Sequence, residues 1–83
     1  MKVDVKLFAN LRARMPNGVG RGTLELEDDA TLVDLMQKLD IPEELSQMTL
    51  INGQHCPPER EWREKKKLQE GDVVSVFPPL AGG

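Results

Sequence analysis

The first strand-like stretch of the chain is KVDVKLF (Lys2–Phe8), in which polar and apolar residues alternate. This period of two is typical of a strand with one buried face. TLELE (Thr23–Glu27) repeats the pattern, and the glycine-rich loop between the two stretches predicts that they pair as a wide hairpin. Before that loop, Leu11 and Met15 have the spacing of a short helical turn that ends at Pro16.

The period changes to that of an α-helix in the segment TLVDLMQKL. Thr31 is the predicted N-cap, and Asp34 lies in the first turn, where a carboxylate favours the helix dipole. Pro42 ends the helical segment. The apolar residues that share one face of this helix are Leu32, Leu35, Met36 and Leu39.

The rest of the chain returns to strand patterns. In MTLINGQHC (Met48–Cys56), the pair Asn52-Gly53 is the strongest short signal for a hairpin, because both residues tolerate positive φ. PPEREWREKKK is predicted to be a charged connection. LQEGDVVSVF is predicted to form a turn and a last strand, Asp72–Phe77.

These elements favour an α+β fold in which one main helix covers a mixed sheet of about five strands. The long helical crossover permits the first and last strands to pair in parallel at the centre of the sheet. We therefore predict a folded domain over residues 1–77. An extended carboxyl-terminal tail, residues 78–83, then projects from the middle of the sheet.

Composition narrows the class of protein further. The 83 residues suffice for one domain, and no apolar run approaches the roughly 20 residues of a membrane span. The single cysteine, Cys56, cannot form an internal disulfide, so a reducing cytoplasm is the expected compartment. With a net charge of −3, neither nucleic acid nor a membrane is an expected partner.

Charge is unevenly distributed along the chain. Residues 1–22 are mainly basic, whereas the span from Glu25 to Glu44 holds eight carboxylates and a single cation, Lys38. This span is either an acidic face that attracts a basic partner or the solvated face of the helix and its turns.

The side chains of a catalytic or metal site are largely missing. His55 and Cys56 are neighbours, so on a strand they point to opposite faces and make a poor nucleophile pair. They also supply too few ligands for zinc. The glycines of NGVGRG fit neither a dinucleotide motif nor a phosphate loop. Trp62 is either an exposed anchor for a partner or a lid over the edge of the core.

The ending PPLAGG is the best candidate site. Pro78 and Pro79 lack N–H donors and fix φ, so they end the strand and hold the chain extended. The residues that follow are Leu80, Ala81, Gly82 and Gly83. The first two offer apolar contacts to a partner. The two glycines have no side chains, so a narrow channel can admit them. The terminal carboxylate is the only charge on this arm. Adenylation with ATP would prepare it for conversion to a thiocarboxylate or an amide without catalytic side chains on this chain.

LFANLRARMP, TLVDLMQKL, INGQ and LQEGDVVSVFPPLAGG together resemble the ubiquitin-like β-grasp sulfur carriers of the MoaD and ThiS type. The likeness covers nearly the whole chain, and the ending is most similar to the small subunits of molybdopterin synthase (MoaD). The resemblance implies that a ubiquitin-activating-type enzyme, which binds ATP and Mg²⁺, adenylates Gly83. A persulfide donor then supplies the sulfur of a thiocarboxylate. The chain itself would hold no stable cofactor or metal and would be a sulfur-donating subunit rather than a complete enzyme.

The resemblance also implies where the sulfur goes. The tail of such a carrier enters the large subunit of molybdopterin synthase, where precursor Z (cyclic pyranopterin monophosphate) receives sulfur. By position, Phe8 and Phe77 match residues of the hydrophobic partner surface, and residues 78–83 match the inserted tail.

Two departures from the family pattern leave other acceptors open, namely the glycine-rich loop RMPNGVGRG and the charged stretch HCPPEREWREKKK. The alternative pathways are thiamine synthesis, cysteine synthesis, transfer-RNA thiolation and tungsten-cofactor synthesis. Conjugation to other proteins through Gly83 is a further alternative.

Overall fold

Residues 1–79 are described in the computed structural model, and they form one mixed sheet in the order β2-β1-β5-β3-β4. β1 pairs antiparallel with β2 and parallel with β5, and β5 pairs antiparallel with β3. This topology confirms the predicted parallel pairing of the first and last strands at the centre. The five strands are β1 (Lys2–Leu7), β2 (Arg21–Glu25), β3 (Met48–Ile51), β4 (Gln54–His55) and β5 (Val73–Phe77).

The main helix, α1 (Leu32–Lys38), begins with the predicted cap. The Asp34 N–H donates to the Thr31 hydroxyl at 3.2 Å, and the Thr31 N–H donates to the Asp34 carboxylate at 2.9 Å. This reciprocal pair satisfies two donors that a helix start leaves unpartnered. The helix ends before Pro42, because the chain already turns at Asp40 with φ of 56°.

The core lies between α1 and one face of the sheet. Val3, Val74 and Val76 are fully buried on the central strands, and Leu32 and Leu35 are fully buried on α1. The alternation seen in the sequence therefore has its expected cause, since every second residue of β1 and β5 faces the helix. The opposite face of the sheet carries the exposed and half-buried residues and is called the open face below.

The charged stretch after the Asn-Gly hairpin is more than a connection. It contains a second short helix, α2 (Arg60–Lys65), and two 3₁₀ helices occur elsewhere, at Ala9–Arg14 and Glu43–Leu45. This helix has no apolar period by which it could be predicted, because α2 spans six residues and its one buried side chain is Arg63. Trp62 keeps 38% of its surface exposed and lines a shallow cavity beside Cys56. It is therefore neither a lid that fully covers the edge of the core nor a fully exposed anchor.

Within residues 1–79, no helix is long and apolar enough to cross a membrane.

Truncation of Leu35 to alanine should lower the free energy of unfolding by about 2–5 kcal/mol, because the side chain is fully buried between helix and sheet. Gln37→Ala, two residues along α1 on its exposed side, should change it by less than about 0.5 kcal/mol. Urea unfolding monitored by circular dichroism measures both. Equal losses in the two variants would contradict the assigned core.

Candidate functional site

The candidate site is the end of β5 and the arm that leaves it. β5 lies between two neighbours, so its last residues are held from both sides. On one side the Phe8 N–H donates to the Val76 carbonyl at 3.2 Å. On the other side Met48 is the register partner of Phe77. The arm therefore begins from the central strand of the sheet, which is paired on both sides.

Phe8 and Phe77, the two aromatic residues assigned to a partner surface, are in contact. Their ring centroids are 4.2 Å apart, and the ring planes differ by only 7°. Phe8 remains 38% exposed, so the stacked pair is available to a partner. The chain turns sharply at Ala9, whose φ of 54° lies in the left-handed region, and this turn separates β1 from the 3₁₀ helix.

The aromatic pair belongs to a wider apolar area on the open face. Met48 is 46% exposed opposite Phe77, and Leu50 is half-buried opposite Ser75. We call the four residues Phe8, Met48, Leu50 and Phe77 the apolar patch. Exposed apolar patches of this kind often mark sites of protein interaction. The sequence analysis missed Met48 and Leu50, because the run MTLI shows no clean alternation that would assign them to the open face.

The described part of the arm is Pro78, which is half-buried, and Pro79, which is exposed. The other predicted site residues of the tail, Leu80, Ala81, Gly82 and Gly83, lie outside the described residues. Their assigned roles, and the division of the chain at residue 77, stay predictions.

His55 and Cys56 do not form a nucleophile pair. Cys56 is buried, whereas His55 is exposed, as the alternation predicted. Burial raises the pKa of the Cys56 thiol, an effect that the nearby positive charges of Arg63 and Lys66 only partly oppose. In the part of the chain from Met1 to Pro79, no cluster of three or more metal-ligating side chains is present.

Arg63 is a buried cation that the sequence analysis did not identify. Its guanidinium donates to the carbonyls of Ser46 at 2.7 Å, Pro57 at 2.8 Å and Gln47 at 3.2 Å. These acceptors compensate for lost hydration, although burial still lowers the pKa of Arg63. The side chain thus ties α2 to the segments that flank the β3–β4 hairpin. Its role is structural, and a run of basic residues in the sequence gives no sign of it.

The buried thiol predicts slow alkylation. Native Cys56 should react with iodoacetamide at least about tenfold more slowly than in urea, and its reaction should accelerate only above the pH at which a free cysteine ionises. Intact-mass measurement over time follows the modification. Equal rates in the native and unfolded protein would show that Cys56 is an accessible, reactive thiol.

Comparison with known proteins gives consistent matches over the whole chain. A model of the ThiS family matches residues 5–83. The molybdopterin synthase sulfur carrier subunit of Chlamydomonas reinhardtii is 29% identical over 89 aligned positions, with complete coverage of both chains. Small archaeal modifier protein 3 of Haloferax volcanii is 30% identical over 96 aligned positions, again with complete coverage of both chains.

Solved structures show the same fold. A putative molybdopterin converting factor, subunit 1, from Pyrococcus furiosus has a TM-score of 0.71 at 28% identity, covering 96% of this chain and 99% of that chain. A chain in the complex of subunits 1 and 2 of the molybdopterin-converting factor from Helicobacter pylori has a TM-score of 0.61 at 22% identity, with complete coverage of both chains. The predicted ubiquitin-like β-grasp fold is confirmed.

Proposed function

Because the chain belongs to the ThiS family, as a sulfur carrier of the ThiS and MoaD type, we propose that its reactive group is the carboxylate of Gly83. The observation that carries this proposal is the family match, which continues through the arm to the last residue of the chain. The geometry of the described residues supports it, since β5 anchors the arm at the centre of the sheet. A carboxylate on an arm anchored in this way can enter the active site of another protein.

The proposed reaction begins on a ubiquitin-activating-type enzyme that binds ATP and Mg²⁺. The Gly83 carboxylate attacks the α-phosphate of ATP, pyrophosphate leaves, and an acyl adenylate forms. The terminal sulfur of a persulfide donor then displaces AMP. A thiol cleaves the resulting acyl disulfide, which leaves a thiocarboxylate on Gly83. We place this chemistry in the cytoplasm, where thiol reductants are available.

We propose that the thiocarboxylate donates its sulfur to precursor Z within a molybdopterin synthase, with this chain as the small subunit. The Chlamydomonas relative is named as a carrier subunit of that enzyme, and the Helicobacter structure contains two subunits of a molybdopterin-converting factor. In this proposal the large subunit contacts the apolar patch around Phe8 and Phe77 and receives the arm from Pro78 to Gly83. The residues between β5 and Gly83 then hold the carboxylate away from the sheet and contact the large subunit. They are Pro78, Pro79, Leu80, Ala81 and Gly82.

Conjugation to other proteins is the second candidate function. It is favoured by the similarity to small archaeal modifier protein 3, which is 30% identical, no lower than the similarity to the synthase subunit. Both functions begin with adenylation of Gly83. They diverge when either a sulfur donor or a lysine amine attacks the adenylate.

Sulfur transfer predicts a change in the intact mass of the chain. Incubation with the activating enzyme, ATP, Mg²⁺, a persulfide donor and a reducing thiol should replace one oxygen by sulfur, and omission of ATP should prevent it. A chain with one alanine added after Gly83 should stay unmodified, because its carboxylate no longer follows the Gly-Gly tip. Its stability should stay within about 0.5 kcal/mol of the original. An unchanged mass of the original chain with a competent activating enzyme would refute the proposal.

Conjugation predicts a different product. Digestion of cell protein with chymotrypsin, which cuts after Leu80, should yield lysines that carry an Ala-Gly-Gly remnant, and these should disappear when the last two glycines are deleted. The digestion is carried out on cells grown with ample sulfur and on cells grown with limiting sulfur. Absence of remnants in both conditions, while the thiocarboxylate is detected, would exclude the modifier function.

A further inference from the structure

The open face carries a ladder of side-chain pairs between β1 and β2. Residues that stand opposite one another in an antiparallel pair have their side chains on the same face and close enough to interact. From the start of β1, these pairs are Lys2 with Glu25, Asp4 with Thr23, and Lys6 with Arg21.

The three pairs differ in electrostatic character. The first combines opposite charges, and in the second the Thr23 hydroxyl donates to the Asp4 carboxylate at 2.8 Å. The third places two cations, Lys6 and Arg21, directly across from each other. Like charges in this position destabilise a sheet. Among residues 1–79, neither cation forms an ion pair with a carboxylate.

The repelling pair lies at the same end of the sheet as the aromatic stack. Lys6 and Arg21 line a groove of about 350 Å³ together with Phe8 and the loop residue Val19. Val19 is 62% exposed, so the groove offers apolar side chains as well as cations to a partner. Phe8 belongs both to this groove and to the apolar patch, which makes the two surfaces continuous.

The loop that carries Val19 is fixed against the end of β1. The Leu7 N–H donates to the Gly20 carbonyl at 2.6 Å. Gly20 has φ of 89°, and a Cβ at this position would overlap the side chain of Arg12, so only glycine allows so close an approach. The glycine-rich loop, one of the two segments that depart from the expected family pattern, therefore forms part of the groove wall.

We propose that the groove is a docking site for the adenylating enzyme, whose contact surface presents an apolar side chain flanked by carboxylates. The apolar side chain lies between Phe8 and Val19, and the carboxylates face Lys6 and Arg21. Complementary charge relieves the repulsion that the free chain carries. This inference rests on the proposed function, because it assumes that Gly83 is adenylated.

The composition of the arm indicates why the adenylating enzyme is the proposed occupant of the groove. Gly82 and Gly83 have no side chains, so the tip offers an enzyme little by which to distinguish one Gly-Gly carrier from another. Recognition must then use the folded domain close to the root of the arm, where the groove lies. Both sulfur transfer and conjugation require this same enzyme as their first partner.

The test measures how fast the ubiquitin-activating-type enzyme of the same organism adenylates the Lys6→Glu variant. The release of pyrophosphate is the readout. The value of kcat/KM should fall by about tenfold or more at low ionic strength. The loss should shrink near 1 M salt, where the Debye length is about 3 Å. The melting temperature should stay unchanged or rise, because the substitution places opposite charges across from Arg21.

The matched control is Lys67→Glu, which makes the same charge change at an exposed lysine beside Thr31 at the start of α1. It should retain kcat/KM within about twofold of the original chain. Val19→Ser should raise KM with little change in kcat, because it removes an apolar contact made on docking.

Two results would overturn the inference. If the Lys6 and Lys67 variants were adenylated equally well at low salt, the groove would not be the docking site, while adenylation of the original chain would leave the proposed function standing. If an activating enzyme that adenylates another carrier protein did not adenylate the original chain at all, both the inference and the proposed function would fail.

Discussion

The parallel pairing of β1 with β5 is the constraint on which the other features of this molecule depend. It joins the first strand of the chain to the last, with Asp4 opposite Val73 and Leu7 opposite Val76. A parallel pair requires a crossover, and α1 supplies it while covering the core face of the sheet. The same register brings Phe8 onto Phe77 and fixes the root of the arm.

The two faces of the sheet differ, because the buried core lies on one and the proposed recognition surfaces lie on the other. The core face carries the fully buried valines and leucines that α1 covers. The open face carries the apolar patch and the cation pair of Lys6 and Arg21, which costs the free chain some electrostatic energy. Under the proposed function, this domain presents the carboxylate of Gly83, and a partner enzyme carries out its activation.

Much of the fold could be predicted from local pattern. Alternation located β1 and placed β2 two residues too late, at Thr23–Glu27 instead of Arg21–Glu25. The Thr31–Asp34 cap located the start of α1, and Asn52-Gly53 located the β3–β4 hairpin. These signals arise within a few residues of each other. The predicted contact surface at Phe8 and Phe77 came from family resemblance, and the structure shows the two rings stacked.

The features that local pattern could not show depend on tertiary contacts. α2 was missed because its buried residue is Arg63, whose partners are carbonyls distant in sequence. The cation pair was missed because its register is set by the geometry of the glycine-rich loop, and a shift by one residue would move Arg21 to the other face. Met48 and Leu50 were missed because the polar residue between them, Thr49, lies on the core face, contrary to the usual alternation.

The proposed functional group of this protein is the main-chain carboxylate of Gly83. Peptide mapping by mass spectrometry, after activation in the presence of a sulfur donor, locates the acquired sulfur. Comparison of the original chain with Cys56→Ser distinguishes sulfur bound at the carboxyl group of Gly83 from sulfur bound to the Cys56 thiol. We expect sulfur on the carboxyl-terminal peptide in both chains and in equal yield. Sulfur found as a persulfide on the Cys56 peptide, and lost in Cys56→Ser, would contradict it.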